Sequence, residues 1–535
     1  MTIKFKHILH LLFLTTCVFI SSCSDENSKN VLDNENKIDQ SSLSIDESTI
    51  NTMNISDEAK KWCIQLYKSR NYKSIWVHLK QADSTFSPFF QYVNADVSLN
   101  IPINYFNTSK FVPSNTPAQK EVSVALRCAE FLRLKHTTIL NDTNKTVNPS
   151  SRVSIDDFLR FIDGKPDKIS WINHLITYQE KNIRLVRMHF ALNLFLNQYG
   201  IENEKDTLPP TLPLPDSSIH SFTVNKLLKR QFISSRKVDS TSLKKQLQTF
   251  QIINGLNPDG KLGKYTISAL LETNYSRYLK GILAIDQLRS LPDSLFNSKY
   301  IEVNIPGFLM HFYNNNKVVN SSRIIVGKKR TKTSLFSAPI KYIVTNPYWT
   351  VPYSIATKEI LVHLKKDSLY LAKKNYELIQ NKDSLIRPDS INWKNIHPRN
   401  FPYVIRQKPG VRNSLGLIKF MFPNHKSIYM HDTPSKHLFK KDQRAYSHGC
   451  IRVQHPRKLA EDILLAENHI YKDSIPALLQ KSKETYLLLH DTFPVNIVYR
   501  TAGINDSTQY IQFYNDVYNR EDSLLELFRV HRANF

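Results

Sequence analysis

Cysteine is scarce in this chain, five in 535 residues. No pair of Cys or His stands at zinc-finger spacing and there is no H-E-x-x-H, which excludes the common structural and hydrolytic zinc frameworks. No Arg-rich patch or RNA-binding signature accompanies the formal net charge of +25. Lys, Asn and Ile are abundant throughout, so the charge is a compositional bias rather than a nucleic-acid footprint. The longest apolar run at the start, Ile8 to Ile20, is too short to span a bilayer comfortably. What the chain does have is length for several domains and 41% hydrophobic residues, ample for packed cores rather than disorder.

Lys4 and Lys6, the apolar run, and the small residues Ser21 and Ser22 before Cys23 form an export signal. Ile20-Ser21-Ser22-Cys23 resembles a bacterial lipobox, which implies a signal peptide over 1–22, lipidation of Cys23 and attachment to a membrane; an ordinary cleaved signal is the alternative. The polar stretch 23–56 is expected to be a disordered tether. The implied location is the envelope of a Gram-negative-type bacterium, lipid-anchored in the outer membrane and facing the periplasm; Asp25 and Glu26 after Cys23 also resemble a surface-export signal, so the leaflet is open. Anionic envelope polymers fit the basic charge. With Cys17 removed and Cys23 lipidated, the folded part keeps Cys63, Cys128 and Cys450, an odd number outside the cytosol.

The expected fold class is α+β multidomain. Residues 57–218 carry helical periodicity, with Trp62, Leu66 and Tyr67 in one stripe, Val124, Cys128, Phe131 and Leu132 in another, and Ile183, Val186, Phe190 and Leu194 in a third. They predict a helical scaffold that ends in the proline-rich 207–215. Over 219–275, Leu243, Leu247 and Phe250 make a stripe, Gly255 ends that helix, and Asp259-Gly260 turns the chain into another, predicting a three-helix unit. A connecting helix over 276–297 follows. From 298 to 520 alternating apolar residues predict a β-rich domain, interrupted over 354–397 by a Lys-rich helical capping insertion; 521–535 is a tail.

The chemistry is concentrated in Ser447-His448-Gly449-Cys450-Ile451-Arg452-Val453, with His431 upstream. A thiol attacks a carbonyl well only as the thiolate, and an imidazole takes its proton or holds the ion pair. Gly449 suits a turn that aims the backbone N–H groups of Gly449 and Cys450 at a developing oxyanion. Pro456 opens an amphipathic helix that anchors the loop. A zinc site built from Cys450, His448, His431 and His437 is the alternative use of the same residues; Ser-His-Gly-Cys is too compact for two of them to close one tetrahedron readily.

His431, fifteen intervening residues, then Ser447, His448, Gly449, Cys450, Ile451 and Arg452 resemble the pattern of the L,D-transpeptidases of the YkuD type. Asn346 to Pro352, Ile405 to Gly410 and His431 to Lys436 resemble the large, multidomain YcbB-like branch, and 220–273 resembles a peptidoglycan-binding module. The resemblance implies Cys450 as the acylated nucleophile, His431 as its base, and the backbone around Gly449 as the oxyanion site. His448 and Ser447 are supporting residues, and Arg452 either recognises a carboxylate or braces the loop. It implies no cofactor and no metal, peptidoglycan stem peptides and glycan as partners, and formation of 3→3 cross-links through a thioester, in cell wall biogenesis and cell shape. Carbapenem acylation of Cys450 is implied too. Asp432 stands where many members have Gly, so what orients His431 is open. The alternatives are an L,D-carboxypeptidase or endopeptidase, an enzyme anchoring protein to the wall, or a non-catalytic wall-binding lipoprotein.

Overall fold

The computed structural model describes residues 44–75, 116–136, 153–163, 182–201, 216–380, 384–481 and 483–526. The signal peptide, Cys23 and most of the tether lie outside the described residues. The chain divides into two compact units, Met1–Ala82 with Pro113–Ser123, and Asp83–Val112 with Val124–Phe535.

In the first unit the end of the expected tether is folded, which corrects that boundary. Ser44 bridges to Lys73, and helix α1 (Glu47–Thr52) starts on Asp46, whose side chain accepts from Thr49 N at 2.7 Å. Ile45 and Ile50 are fully buried, and the cap together with those two anchors outweighs the polar composition around them. Helix α2 (Asp57–Ser69) is capped by Ser56 and buries Trp62, Cys63, Leu66 and Tyr67, the expected stripe. Glu121 accepts from Ser74 Oγ at 2.6 Å and from Tyr67 Oη at 3.3 Å.

Helix α3 (Pro117–His136) buries Val124, Cys128, Phe131 and Leu132 as expected. Cys63 and Cys128 are both buried thiols. The second unit contains α4 (Ile155–Asp163), α5 (Ile183–Tyr199), α6 (Asp216–Lys229), α7 (Ser240–Ile253), α8 (Lys264–Leu271) and α9 (Asn274–Arg289). The stripe expected on α5 is corrected: Phe190 and Leu194 are exposed, and the buried face is Met188, Leu192, Phe195 and Tyr199. Both sets have helical spacing, and the partners of the helix rather than its own period decide which one faces inward.

Three helices do occupy the 219–275 region, but not as a separate body. Leu243, Leu247 and Phe250 share one core with Met188 and Phe195 of α5, Ile285 of α9, and Ile511 and Phe513 of the hairpin β14 (Ala502–Ile504) and β15 (Ile511–Phe513). Gly255, at φ +63°, follows the C-cap of α7 with no room for a side chain: a Cβ there would stand 2.7 Å from the Tyr514 ring. The residues expected to connect or trail, 276–297 and 521–526, are packed as well. Leu524 and Leu525 lie on Ile282 and Leu283.

The β-rich domain is a nine-stranded sheet ordered β11-β3-β12-β10-β9-β4-β13-β1-β2, and an additional β2–β3 pairing closes the order on itself. Its strands are β1 (Lys299–Asn304), β2 (Leu309–Asn314), β3 (Lys317–Gly327), β4 (Ser337–Thr345), β9 (Ile418–Met421), β10 (Met430–His431), β11 (Ala445–Ser447), β12 (Ile451–Val453) and β13 (Thr485–Val498). The period of two sends Ile301, Val303, Ile324, Val326, Ile418, Phe420, Met430, Ile451 and Val453 into one core. Helices α10 (Pro456–Ala466) and α11 (Ile475–Gln480) join it through Leu459, Ile463, Leu464 and Ile475.

The insertion is larger than expected and is not purely helical. Its strands β5 (Trp349–Thr350), β6 (Tyr376–Gln380), β7 (Ser384–Ile386) and β8 (Val404–Gln407) form a separate sheet ordered β5-β8-β6-β7. That sheet shares a core of Val351, Ile360, Leu361, Leu364, Leu371, Leu378, Trp393 and Ile405 with a helical run over 353–364. The conspicuous motifs at its base are brackets. Asn346 Nδ2 donates to Leu478 O at 2.9 Å, Asn413 Nδ2 to Pro347 O at 3.1 Å, and Gln407 Oε1 accepts from Ser414 N at 2.8 Å.

A buried ion cluster fastens α5 to the sheet. Glu302 on β1 is 3% exposed and takes Arg184 Nη2 at 2.6 Å and Arg500 Nη1 at 2.6 Å. Burial opposes its charge, but the two guanidiniums prevail and hold its carboxyl well below the usual glutamate value of 4.5. Because the folded-state value is the lower one, the stabilisation is complete above the unfolded value and is lost as pH falls through the folded one. Glu302→Ala strands both guanidiniums in a buried site. The expected outcome is a loss of about 3–5 kcal/mol in urea unfolding at pH 7, shrinking as the comparison is repeated towards pH 3.

Candidate active site

The site is built by the register between two strands distant in sequence. β10 runs parallel to β12 with Met430 opposite Ile451 and His431 opposite Arg452, and Ile451 N donates to Tyr429 O at 3.0 Å. Met430 and Ile451 therefore face the core while Tyr429, His431, Cys450 and Arg452 share the other face. β9 is antiparallel to β10 with Lys419 opposite His431, so Lys419 joins that face. The sequence motif thus assembles, and it gains two residues not anticipated, Tyr429 and Lys419. The alternation of Ile418-Lys419-Phe420 and Tyr429-Met430-His431 carried the signal for both.

The turn before Cys450 is fixed from two sides. Ser447, buried, donates from Oγ to Cys450 O at 2.6 Å and accepts Gly449 N at 3.1 Å. Thr333 Oγ1 donates to Gly449 O at 2.8 Å and accepts Gly327 N at 2.9 Å, and Tyr518 Oη donates to Gly327 O at 2.8 Å. Gly449 is at φ +125°, a conformation that its lack of a Cβ permits. Its N–H donates to Ser447 Oγ in this structure. Cys450 N–H is a donor of this turn with no protein partner among the described residues. Thr333 gave no sequence signal, since it reaches the turn from a loop more than a hundred residues upstream.

His431 is 4% exposed, and its Nδ1 lies 2.5 Å from Asp432 O. A carbonyl only accepts, so Nδ1 carries the proton and Nε2 presents the lone pair. This answers what orients the ring: the backbone of Asp432. The Asp432 side chain is spent on Leu417 N at 2.9 Å, Thr433 N at 2.7 Å and a contact with Lys436 Nζ. Gly416, at φ +61°, makes room for it, since a Cβ there would come within 2.3 Å of Asp432 Cγ. Burial, then the Arg452 charge, with Lys419 adding less, push the imidazole down to about 3. It is neutral at neutral pH.

The Cys450 sulfur contacts Ser427 O at 3.7 Å, and among the described residues no hydrogen bond joins it to either imidazole. Its tip is partly open, yet the protein around it desolvates it and pushes the thiol above its ordinary range. The Tyr429 backbone and hydroxyl, Lys419 and Arg452 act in the opposite direction and favour the thiolate. Lys419 Nζ stands 4.2 Å from the Tyr429 ring centroid, and desolvation holds its pKa down. Arg452 Nε is buried with no hydrogen-bond partner. The resting pair is therefore a neutral thiol and a neutral imidazole in a cationic, water-poor wall, primed for an anionic group.

His448 does not share this wall. It is half-exposed and pairs through Nε2 with Glu359 Oε1 of the insertion at 2.7 Å. Cys450, His431, His448 and His437 do not converge as metal ligands. Among the described residues the group that does is Glu467, His469 and His490. There both His469 nitrogens are engaged, Nε2 with Leu488 O at 3.0 Å and Nδ1 with Tyr471 N at 3.1 Å.

Residues 298–476 match the family model of the YkuD L,D-transpeptidase catalytic domain. A protein of Haemophilus influenzae (strain ATCC 51907 / DSM 11121 / KW20 / Rd) described as "Putative L,D-transpeptidase" is 32% identical over 287 residues. The aligned part is 52% of this chain and 57% of that relative, so the chain spans little more than half of it. A solved structure of the Ldtfm-avibactam carbamoyl enzyme is similar at 14% identity over 38% of this chain and 49% of that one. Its TM-score of 0.18 carries no argument.

The electrostatics set the reactivity of the thiol. Iodoacetamide should label Cys450 with a rate that keeps rising past the ordinary thiol value of 9.0, as followed by intact mass against pH. Lys419→Met removes a cation that favours the thiolate, so the midpoint should move higher still; a shift to lower pH would refute this role for Lys419.

Proposed function

Residues 298–476 form a YkuD-type L,D-transpeptidase domain, and from that premise we propose that the protein cross-links peptidoglycan stems through a Cys450 thioester. The observation that carries the reading is the register that sets Cys450, His431, Tyr429, Lys419 and Arg452 on one face. As the donor carbonyl approaches, His431 Nε2 takes the thiol proton while Tyr429, Lys419 and Arg452 stabilise the sulfur anion. The tetrahedral oxyanion lies against Cys450 N–H. Arg452, with its unpaired buried Nε, receives a carboxylate of the donor stem, which favours recognition over loop bracing. His431 then returns the proton to the departing amine of D-alanine. The thioester that remains is resolved by a side-chain amine of a neighbouring stem, giving a 3→3 link. Ser447 shapes the turn through its two hydrogen bonds and takes no proton.

The remaining parts of the chain fit a polymer substrate. In this proposal the lipid on Cys23 holds the enzyme at the envelope membrane, and the helical region around α6 to α8 engages glycan. A cavity of about 650 Å³ there, lined by Gln198, Gln231, Ser234, Ser235 and Gln246, supplies polar groups that a sugar can hydrogen-bond.

The purified chain, incubated with a disaccharide-tetrapeptide and analysed by mass spectrometry, should release D-alanine and yield cross-linked dimer. Tripeptide alone would make it a carboxypeptidase, and unchanged substrate with retained sacculus binding would make it a scaffold. A carbapenem should leave one mass adduct, lost in Cys450→Ala. An adduct persisting in that variant would remove Cys450 as the nucleophile.

A further inference from the structure

We infer that Glu359 and His448 together form the entry site for the acceptor amine, with Glu359 supplied by the insertion and His448 by the catalytic turn. The inference rests on the proposed acyl transfer and adds a second, separate acid–base pair to it.

The chemistry requires such a pair. An alkylamine is an ammonium at neutral pH, with an ordinary value of about 10.4, and must lose a proton before it can attack a thioester. The wall that activates Cys450 is a poor place for this. Lys419 and Arg452 repel a cation, and His431 is already assigned to the thiol and the leaving group. Among the side chains that hydrogen-bond the segment 447–453, Glu359 is the acidic one. It sits on a π-helical turn, Ala356–Ile360, inside the helical run of the insertion, a local irregularity often found where a side chain has been re-aimed. It forms an ion pair with His448, and the Tyr370 and Tyr376 hydroxyls of the insertion lie within electrostatic reach of it. No lysine or arginine forms an ion pair with it among the described residues, so the carboxylate is available to a substrate cation. Both partners remain accessible, with side-chain exposures of 36% for His448 and 49% for Glu359.

The protons balance as follows. His448 Nε2–H donates to Glu359, which leaves Nδ1 as acceptor. The substrate ammonium gives one proton to Nδ1, forming an imidazolium held by the carboxylate. The neutral amine attacks the thioester carbonyl, a C–N bond forms and the C–S bond breaks. The second amine proton passes through His431 to the departing Cys450 sulfur, restoring the thiol, and His448 releases its proton to water. The active site thereby has two electrical sides. The sheet face is cationic and takes the donor carboxylate, and the insertion side is anionic and takes the acceptor ammonium. Attack by water needs no cation site, so the pair acts on partition between cross-linking and hydrolysis.

The test uses the whole chain with disaccharide-tetrapeptide, quantifying D-alanine, dimer and tripeptide in the same reaction. Glu359→Gln keeps a hydrogen-bonding side chain beside His448 and removes the charge. The expected result is a fall of about tenfold in the ratio of dimer to tripeptide, with partial recovery in Glu359→Asp and a raised KM for the acceptor. An unchanged ratio overturns the inference. So does a parallel loss of D-alanine release and dimer, which would make Glu359 a latch that shapes the whole site. Absence of D-alanine release from the unsubstituted protein would overturn the proposed acyl transfer, and this inference with it.

Discussion

Everything at this site depends on the parallel pairing of β10 with β12. Its register puts Met430 and Ile451 into the core and leaves Tyr429, His431, Cys450 and Arg452 on the opposite face. A slip of one residue would drive an imidazole and a guanidinium into the apolar core and eject two core side chains, so the hydrophobic core enforces the arrangement of the chemistry. The neighbouring pairs extend that constraint, since Lys419 reaches the site because Ile418 and Phe420 are locked inside. The nucleophile is thus positioned by apolar residues that never touch it.

The electrostatic consequence is a thiol that rests in its neutral form. Desolvation raises the Cys450 thiol and drives His431 down to about 3, so burial alone would leave a poor nucleophile and a weak base. The nearby cations and Tyr429 favour the thiolate, and their effect grows when a substrate excludes the remaining water. Cationic Lys419 and Arg452 lower the proton affinity of His431 and Cys450 alike, so they favour the thiolate while weakening the base, and desolvation keeps the resting thiol neutral. The same two charges give the sheet face a cationic character, and Glu359 on the insertion lies on the His448 side. Glu302 with Arg184 and Arg500 supplies the rigid backing, holding α5 on the strand that pairs with β13.

Local signals made much of this legible beforehand. The stripes of Trp62, Leu66 and Tyr67 and of Leu243, Leu247 and Phe250 are buried where their period placed them, Gly255 ends its helix, and the alternation from residue 301 onward marks the sheet. Ser447 to Arg452 and His431 stood out as residue types that nucleophilic chemistry needs. The failures have a common origin. On α5 two faces were apolar enough to be the core, and only neighbouring elements chose between them. The end of the polar 23–56 stretch folds because Asp46, Ile45 and Ile50 outweigh the polar residues around them, and the strands of the insertion give little sequence signal because they are short and pair only with one another.

The sequence by itself determined the candidate nucleophile, its glycine turn, the helix caps and the side-chain alternation, because each is set by residues within a few positions of one another. Tertiary structure decided which groups surround that nucleophile. Lys419, Tyr429 and Thr333 come from separated segments and meet the Cys450 turn through strand register, while Glu359 reaches the adjacent His448 through the fold of the insertion. It decided also that Gly449 N–H is held by Ser447 and that the Asp432 carbonyl, not its carboxylate, orients His431. Hydrogen bonds over a few ångströms depend on backbone direction, which residue identity alone does not specify.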